Sequence, residues 1–422
     1  MNISSPTATA TSTLTQPTFK EGTSGKGTAT FRTRPIDVHE SVDRSQYPAI
    51  ISFFSELTIV MISIYLPYRA FQLGANSFLV GLVGASGSVV YMFAPFFTGR
   101  LSDRVGPKRL LVLGSSLLTV LCLAYTMVSN PAVFVGLRLL EGLGWAMIWP
   151  PLEALYSVSG TDVRRSMKTF NLAWGVGAMA APVFGSLLVD WSSVVGTLFF
   201  CVSAMLAALL LTLRIEGRPP VHSSPLVRPK EKLEFKATAV LLSFSFVYGL
   251  TLTTFSTFFP RYAASLNLEV ALWGTVLSAI YAGRLLAFFL SERVMRSLGL
   301  MGTMTTFLLV AAAFPLYAIL PGPNQYLLIL CSLVTGIGFG SVYSATLVSM
   351  LSGPAEGRGR SAGLFESSLG LGSFVGPALA GAVASSGLWL TMLLPLVAIG
   401  GVLSTGVAFR RKAAGSPRGE PL

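Results

Sequence analysis

The sequence predicts an all-α polytopic membrane protein with twelve membrane-spanning helices in two pseudo-symmetric six-helix bundles. Hydrophobic residues make up 52% of the 422 residues and charged residues 11%, which lies outside the range of soluble globular proteins. The mean hydropathy is +0.67. Apolar runs of about 20 residues alternate with short polar turns, and that length crosses a hydrocarbon core about 30 Å thick. Motifs of the first half also recur in the second.

The chain divides into five predicted segments. Residues 1–46 are rich in Ser and Thr and have no apolar periodicity, so we expect a disordered cytoplasmic tail. Six-helix bundles at 47–214 and 237–409 flank a linker at 215–236, which is rich in proline and charge, and residues 410–422 form a second tail. The predicted spans are 47–69, 77–98, 109–129, 132–157, 166–190, 193–214, 237–259, 270–291, 300–320, 325–351, 362–385 and 387–409.

The distribution of basic residues predicts the orientation of these spans. Of the 30 Lys and Arg residues, twenty-six lie in the tails and the even-numbered turns, and two (Arg69 and Arg261) lie in the odd-numbered turns. Positive charge in short loops stays on the cytoplasmic side, so both termini are expected there, in a protein of the cell membrane. The net charge of +12 therefore reflects topology and does not indicate a nucleic-acid partner.

The two halves share short motifs at nearly constant spacing. Leu101-Ser-Asp-Arg-Val105 recurs as Leu290-Ser-Glu-Arg-Val294, with an offset of 189 residues. Gly142-Leu-Gly144 recurs as Gly336-Ile-Gly338, with an offset of 194. Such small drift predicts duplication of a six-helix unit.

A cationic turn joins the second and third predicted spans. It contains Gly99, Asp103, Arg104, Gly106, Lys108 and Arg109. A solvated hairpin between two helices would explain it. The spacing also resembles the signature loop of the major facilitator superfamily, apart from Pro107 at a position that is often basic. The resemblance implies a cytoplasmic gate, because in that family the acid and its neighbouring cations latch one transport conformation.

The fourth predicted span contains two charged residues, Arg138 and Glu141, three positions apart and therefore on one helical face. A charge at membrane depth needs a partner or a wet cavity. A self-neutralising pair that fixes helix packing is one explanation. The run Arg138-Leu-Leu-Glu141-Gly-Leu-Gly also resembles the family's fourth-helix motif, in which the Arg is linked to proton transfer and Gln is usual in place of Glu141.

Four further charged residues within the predicted spans are candidates for a role. Glu56 of the first span falls near the membrane midplane with no cation one turn away, so it can hold a proton and release it when water or a cationic substrate arrives. A purely structural hydrogen bond is the alternative. Arg284 of the eighth span and Glu366 of the eleventh could pair across helices, and an anion-binding Arg284 stays open. Glu153, near the inner end of the fourth span, is expected at the membrane surface.

Small residues and prolines cluster in the fifth and eleventh predicted spans. They are Gly177, Ala181, Pro182, Gly185, Gly372, Gly376 and Pro377. Small residues let helices approach closely and a proline allows a kink, although general packing would need the same residues. The fifth span resembles the family's antiporter signature Gly-x-x-x-Gly-Pro-x-x-Gly, with Ala181 in place of the second Gly. Gly81, Gly84 and Gly87 give the second span another small face, suited to the interface between halves.

In a fold of this family the cavity is lined mainly by the first, fourth, seventh and tenth spans, which here are rich in aromatic residues. These are Phe53, Phe54, Tyr65, Trp145, Trp149, Tyr248, Phe255, Phe258 and Tyr343. Such a lining suits a partly apolar or cationic substrate better than a sugar, although aromatic side chains also fill membrane helices generally.

Together these features favour a proton-coupled efflux antiporter of small amphipathic or drug-like molecules that works by alternating access. An uptake permease for a small organic metabolite and a transport-inactive sensor or scaffold are the alternatives. The sequence contains no nucleophile–base set, phosphate loop or metal cluster, so we expect neither an enzyme nor a cofactor. The expected partners are a small-molecule substrate, protons and the lipid bilayer, and the expected state is a monomer.

Overall fold

The computed structural model describes residues 46–158, 163–215, 235–351 and 358–414. These residues form thirteen α-helices: α1 (Tyr47–Gln72), α2 (Ser77–Tyr91), α3 (Ala94–Val105), α4 (Pro107–Met127), α5 (Pro131–Val158), α6 (Val163–Trp191), α7 (Val194–Arg214), α8 (Phe235–Ser265), α9 (Val270–Val310), α10 (Ala313–Ala318), α11 (Gln325–Leu351), α12 (Arg358–Val383) and α13 (Trp389–Ala414). Almost all of the predicted N-terminal tail and linker lies outside the described residues, whereas α13 continues into the predicted C-terminal tail.

Most of these helices have the length and composition of membrane spans. Within the described ranges nine helices are long and apolar enough to cross a membrane, or ten if the bent pair Ser77–Tyr91 and Ala94–Ser102 counts as one span. The all-α polytopic fold class is therefore confirmed, while the number of twelve spans stays a prediction.

The second predicted span consists of two helices bent by 41°. Helix α2 ends at Tyr91, and Pro95 lies in the first turn of α3. Proline lacks an amide hydrogen and its ring excludes the preceding turn of an unbroken helix, so the span breaks at this point.

The predicted cationic turn is mostly helical, which corrects the sequence interpretation. Helix α3 continues to Val105, and only Gly106 separates it from α4, which begins at Pro107. Gly106 has a φ of +88°, a left-handed conformation that glycine adopts without steric cost. Pro107 suits the first helical position because its missing N–H would have no helical partner there.

The eighth and ninth predicted spans also meet without a loop. They are joined in α9, where Gly299 has a φ of +66° and is the non-helical residue. A single left-handed glycine therefore replaces the turn that the sequence predicted between residues 291 and 300.

Two close helix contacts, the α2–α12 seam and the α6–α9 seam, join the predicted first bundle to the second. A Cβ atom at Gly81 would lie 2.9 Å from the Cα of Gly381 in the first seam. In the second, a Cβ atom at Gly274 would lie 2.7 Å from the Cβ of Ser186. Glycine is therefore required at both positions for the backbones to approach this closely.

The two seams are built alike. The Pro377 carbonyl faces Gly81 in the α2–α12 seam, and the Pro182 carbonyl faces Gly274 in the α6–α9 seam. Arg261 adds a polar tie near the first seam, because its Nη1 donates a hydrogen bond to Ser77 Oγ at 2.8 Å.

The repeated Gly-x-Gly motifs occupy corresponding contacts in the two halves. Gly142 of α5 packs on the backbone of Gly87 in α2. Gly336 of α11 packs on α9, where a Cβ atom at Gly336 would lie 3.0 Å from the Cα of Gly283. The motif thus brings the fourth predicted span against the second, and the tenth against the eighth.

Candidate functional site

The Arg138–Glu141 pair of α5 is buried and saturated with hydrogen bonds. Arg138 Nη1 donates to Glu141 Oε1 at 2.8 Å, and both side chains are 1% exposed. The carboxylate also accepts hydrogen bonds from the Tyr125 hydroxyl at 2.5 Å and from the Trp145 indole nitrogen at 3.1 Å. The three-residue spacing places the two charges on one face of α5, as the sequence predicted.

The other contacts of Arg138 tie α5 to neighbouring helices. Its Nε donates to the Val83 carbonyl of α2 at 3.2 Å, and its Nη2 lies 3.5 Å from Ser63 Oγ of α1. The guanidinium also lies 4.9 Å from the centre of the Trp145 ring. This arrangement matches the packing explanation, because every polar group of the pair has a partner.

Glu56 of α1 differs from Glu141 because its carboxylate forms no hydrogen bond or ion pair with the described residues. Its side chain is half-buried, and Arg284 is the cation within electrostatic range. Helix α6 packs closely beside it, since a Cβ atom at Gly177 would lie 2.6 Å from the Phe53 carbonyl oxygen. An acid without a partner in this position can exchange a proton or contact a cationic ligand.

Arg284 of α9, in the other half, is surrounded by aromatic side chains. Its Nη1 donates to the Tyr248 hydroxyl at 2.9 Å, and its Nη2 has no hydrogen-bond partner. The guanidinium lies 4.6 Å from the centre of the Trp174 ring and 4.9 Å from that of Tyr281. The suggested ion pair with Glu366 does not form.

A pair of acidic residues, which the sequence did not indicate, lies nearer to the ends of the spans that are predicted to be cytoplasmic. Glu153 of α5 and Glu366 of α12 are near enough to repel each other electrostatically. Tyr91 and Tyr343 lie within electrostatic range of both carboxyl groups. Glu153 therefore faces the space between the halves as well as solvent, rather than only the membrane surface. The position of Glu153 in the sequence predicted its depth along the span but not the direction of its side chain.

The residues of the signature loop lie at the junction of α3 and α4. Arg104 and Arg109 are exposed there, and Gly99 is half-buried. Lys108 Nζ donates to the carbonyl of Leu213, near the C-terminal end of α7, at 3.0 Å, where a cation also complements the helix dipole. The side chain of Asp103 lies outside the described residues.

The small residues of the fifth and eleventh predicted spans pack within each half. Gly185 lies against the Tyr65 ring of α1, whose hydroxyl donates to the Pro182 carbonyl at 2.6 Å. In the second half, a Cβ atom at Gly372 would lie 2.9 Å from Leu250 N of α8. Ala181 is fully buried in α6, and a Cβ atom at Gly376 would meet Leu250 and Thr254 of α8. The carbonyls of the two prolines face the other half, as described above.

Aromatic side chains form a connected cluster beside Arg284. The sequence named Tyr248 and Tyr343, whose ring centres lie 5.2 Å apart. It missed Trp174 and Phe288, whose ring centres lie 6.0 Å apart across the α6–α9 seam. They belong to the fifth and eighth predicted spans, outside the four spans that were expected to line the cavity, so no local pattern singled them out.

Comparison with known proteins identifies the family to which the chain belongs. Residues 49–353 match the model of the Major Facilitator Superfamily. The chain is 26% identical to an uncharacterised transporter of that type from Methanocaldococcus jannaschii, over 78% of this chain and 87% of that protein. It is also 26% identical to the multidrug efflux protein YfmO of Bacillus subtilis, over 79% and 84% of the two chains. The quinolone resistance protein NorA of Staphylococcus aureus is 22% identical, over 78% and 87%.

Solved structures share the fold at low sequence identity. A mutant of the nucleoside transporter NupG superposes with a TM-score of 0.76 at 14% identity, over 86% of this chain and 99% of that one. An inward-facing, unoccupied bacterial homologue of the human lysosomal transporter Spinster has a TM-score of 0.71 at 14% identity, over 90% and 99%. With helices long enough to cross a membrane and a family match over most of its length, the chain is a multi-pass membrane transporter of the major facilitator superfamily.

Proposed function

We propose that this transporter exports small amphipathic or drug-like molecules in exchange for protons, by alternating access, from a cell membrane in which both termini are cytoplasmic. The observation that carries the proposal is the Glu56 carboxyl group, which lies within a span and has no hydrogen-bond or ion-pair partner among the described residues. An intramembrane acid is a functional-site candidate by default, because its burial is otherwise unfavourable.

Glu56 is a better proton carrier than Glu141 because of their different surroundings. Proton binding at Glu141 would have to break contacts with Arg138, Tyr125 and Trp145. Glu56 can gain or lose a proton without breaking a hydrogen bond. A cationic group of a substrate beside Glu56 favours the carboxylate and so expels the proton, and by linkage proton binding expels the substrate.

Both inter-half seams supply contacts that alternating access would break. The seams join the halves through glycine positions near the ends of α2, α12 and α9 that we predict to lie outside, and through Pro182 and Ser186 in the last third of α6. Rocking of one half against the other would separate these contacts and expose the space around Glu56. The similarity to the multidrug efflux protein YfmO supports the export direction, and the similarity to the quinolone resistance protein NorA supports a drug-like substrate.

The proposal is tested by Glu56→Gln in proteoliposomes with an imposed pH gradient. Gln resembles the protonated acid, so we expect gradient-driven accumulation to be lost while downhill exchange of a fluorescent cationic dye continues. Glu141→Gln is the matched control and is expected to keep more gradient-driven transport at equal protein abundance. Full accumulation by Glu56→Gln would contradict the assignment of proton coupling to Glu56.

An uptake permease for a small organic metabolite is the second candidate. The fold likeness to NupG, which is a nucleoside transporter, favours it. The same proteoliposomes distinguish the two, since protons and substrate move in opposite directions for an antiporter and together for a symporter. An absence of flux for every tested compound would instead favour a sensor or scaffold.

A further inference from the structure

Arg284 has a hydrogen-bond donor that nothing in the described structure uses. The side chain is 6% exposed, one terminal nitrogen is bound to the Tyr248 hydroxyl, and Nη2 has no partner. An uncompensated buried charge is strongly destabilising, and an unsatisfied donor adds to that penalty. The planar guanidinium fork fits a carboxylate through two parallel hydrogen bonds. The open donor therefore indicates a site for a planar anionic group.

Aromatic side chains hold this guanidinium in place. Trp174 lies on it from α6 and Tyr281 from its own helix, at 4.6 and 4.9 Å from the ring centres. Cation–π contacts of this kind stabilise the charge without using its hydrogen-bond donors. Phe288 continues the aromatic surface from Trp174 towards Tyr343. A ligand that binds Arg284 would thus meet aromatic side chains beside it.

Helix α6 packs between α1, which carries Glu56, and α9, which carries Arg284. A Cβ atom at Gly177 would lie 2.6 Å from the Phe53 carbonyl oxygen of α1, and one at Gly175 would lie 2.8 Å from Leu285 Cδ1 of α9. These two glycines pack α6 beside the turns that carry Glu56 and Arg284. The two charged groups lie within electrostatic range, yet they form no ion pair within 4.0 Å. The Glu56 carboxylate of one half and the Arg284 guanidinium of the other are therefore more than 4.0 Å apart.

We infer that the space between Glu56 and Arg284 binds an amphoteric substrate, a small aromatic molecule that carries both an ammonium group and a carboxylate. Its carboxylate completes the hydrogen bonds of Arg284, and its ammonium group lies against Glu56. A simple cation would leave the Arg284 donor unused, and a simple anion would be repelled by the Glu56 carboxylate. This assignment of substrate class rests on the proposed function, in which this space is the transport site.

A charge-matched ligand series tests the inference on the full chain in lipid nanodiscs, without a pH gradient. The probes are naphthylalanine (zwitterion), its methyl ester (cation), its N-acetyl derivative (anion) and the N-acetyl methyl ester (neutral), and dissociation constants are measured by calorimetry. A charge-assisted hydrogen bond predicts that the zwitterion binds roughly ten- to a hundredfold more tightly than the ester or the N-acetyl derivative.

Variants assign each charge to its residue. In Arg284→Gln, the zwitterion and its methyl ester should bind equally, while Arg284→Lys should keep part of the preference because it retains the charge but not the planar fork. In Glu56→Gln, the zwitterion and the N-acetyl derivative should bind equally. Arg293→Gln is the control, because Arg293 lies on the same helix but is exposed, and it should keep the full preference. Thermal unfolding of each variant verifies that it is folded.

Two results would overturn the inference: equal affinity of the wild-type chain for the zwitterion and its ester, or an Arg284→Lys variant that is folded and loses affinity for all four probes alike. The gradient assay of Glu56→Gln reports separately on the proposed function. Charge-selective binding without gradient-driven transport would reject the antiporter and keep the binding site. Proton-driven export of a simple cation, without preference for the zwitterion, would keep the antiporter and reject the amphoteric binding site.

Discussion

Replacing Glu141 by Ala should destabilise the protein far more than replacing Glu56 by Ala. The Glu141 carboxylate accepts hydrogen bonds from three buried donors, on Arg138, Tyr125 and Trp145. Its removal leaves the Arg138 guanidinium, 1% exposed, without its counter-ion. Breaking a buried ion pair at one partner costs about 3–5 kcal/mol. Glu56→Ala removes no hydrogen bond, so its effect should stay below about 1 kcal/mol.

The free energy of unfolding can be measured by denaturant titration of the purified protein in detergent micelles, with tryptophan fluorescence as the signal. The destabilisation by Glu141→Gln should lie between that of Glu141→Ala and that of Glu56→Ala, because the amide oxygen can still accept a hydrogen bond from one donor but carries no charge. The double substitution Arg138→Met with Glu141→Leu should recover much of the loss, since it removes both charges together. Equal destabilisation by Glu141→Ala and Glu56→Ala would refute the view that the pair is structural and Glu56 is free.

Three further predictions concern the moving parts. Asp103→Asn should slow transport at normal abundance, because it removes a charge from the proposed gate; wild-type turnover in vesicles would refute that role. Pro182→Ala should change the rate of exchange between inward and outward forms, measured by distance distributions between spin labels, more than substrate affinity, and the opposite pattern would count against it. Gly81→Ala should weaken closure of the α2–α12 seam in the same measurement, since its Cβ would lie 2.9 Å from the Cα of Gly381. Gly136→Ala is the control, because no atom lies within 4 Å of a Cβ at that position. An equal effect of the two substitutions would contradict the role of Gly81 in the seam.

The sequence predicted the features that depend on local spacing. Apolar length gave the fold class, and the three-residue spacing of Arg138 and Glu141 gave their ion pair. The repeated Gly-x-Gly motif, from which duplication was predicted, lies at equivalent close contacts in the two halves, because only glycine leaves room for a neighbouring backbone. The absence of a cation one turn from Glu56 likewise predicted that its own helix offers it no ion-pair partner.

The sequence could not give the features that depend on how helices face one another. Depth along a span does not fix the direction of a side chain, so Glu153 was assigned to the surface although it lies in electrostatic range of Glu366. The partners of Arg284, namely Tyr248 and Trp174, come from two other helices. The bend at Pro95 and the left-handed glycines at 106 and 299 depend on where the chain must turn, which composition does not specify.

The construction of the seams bears on how small a signal can switch this transporter. At Gly81 and Gly274 the halves meet through backbone atoms and the small Ser186 side chain, so separating them there exposes little apolar side-chain surface. The difference in free energy between the two alternating forms can then be only a few kcal/mol, with the minor form populated at a measurable level. A ligand shifts such a balance by its difference in affinity for the two forms, about 1.4 kcal/mol for each factor of ten. Modest selectivity of the substrate or proton for one form is therefore sufficient to reverse which form predominates.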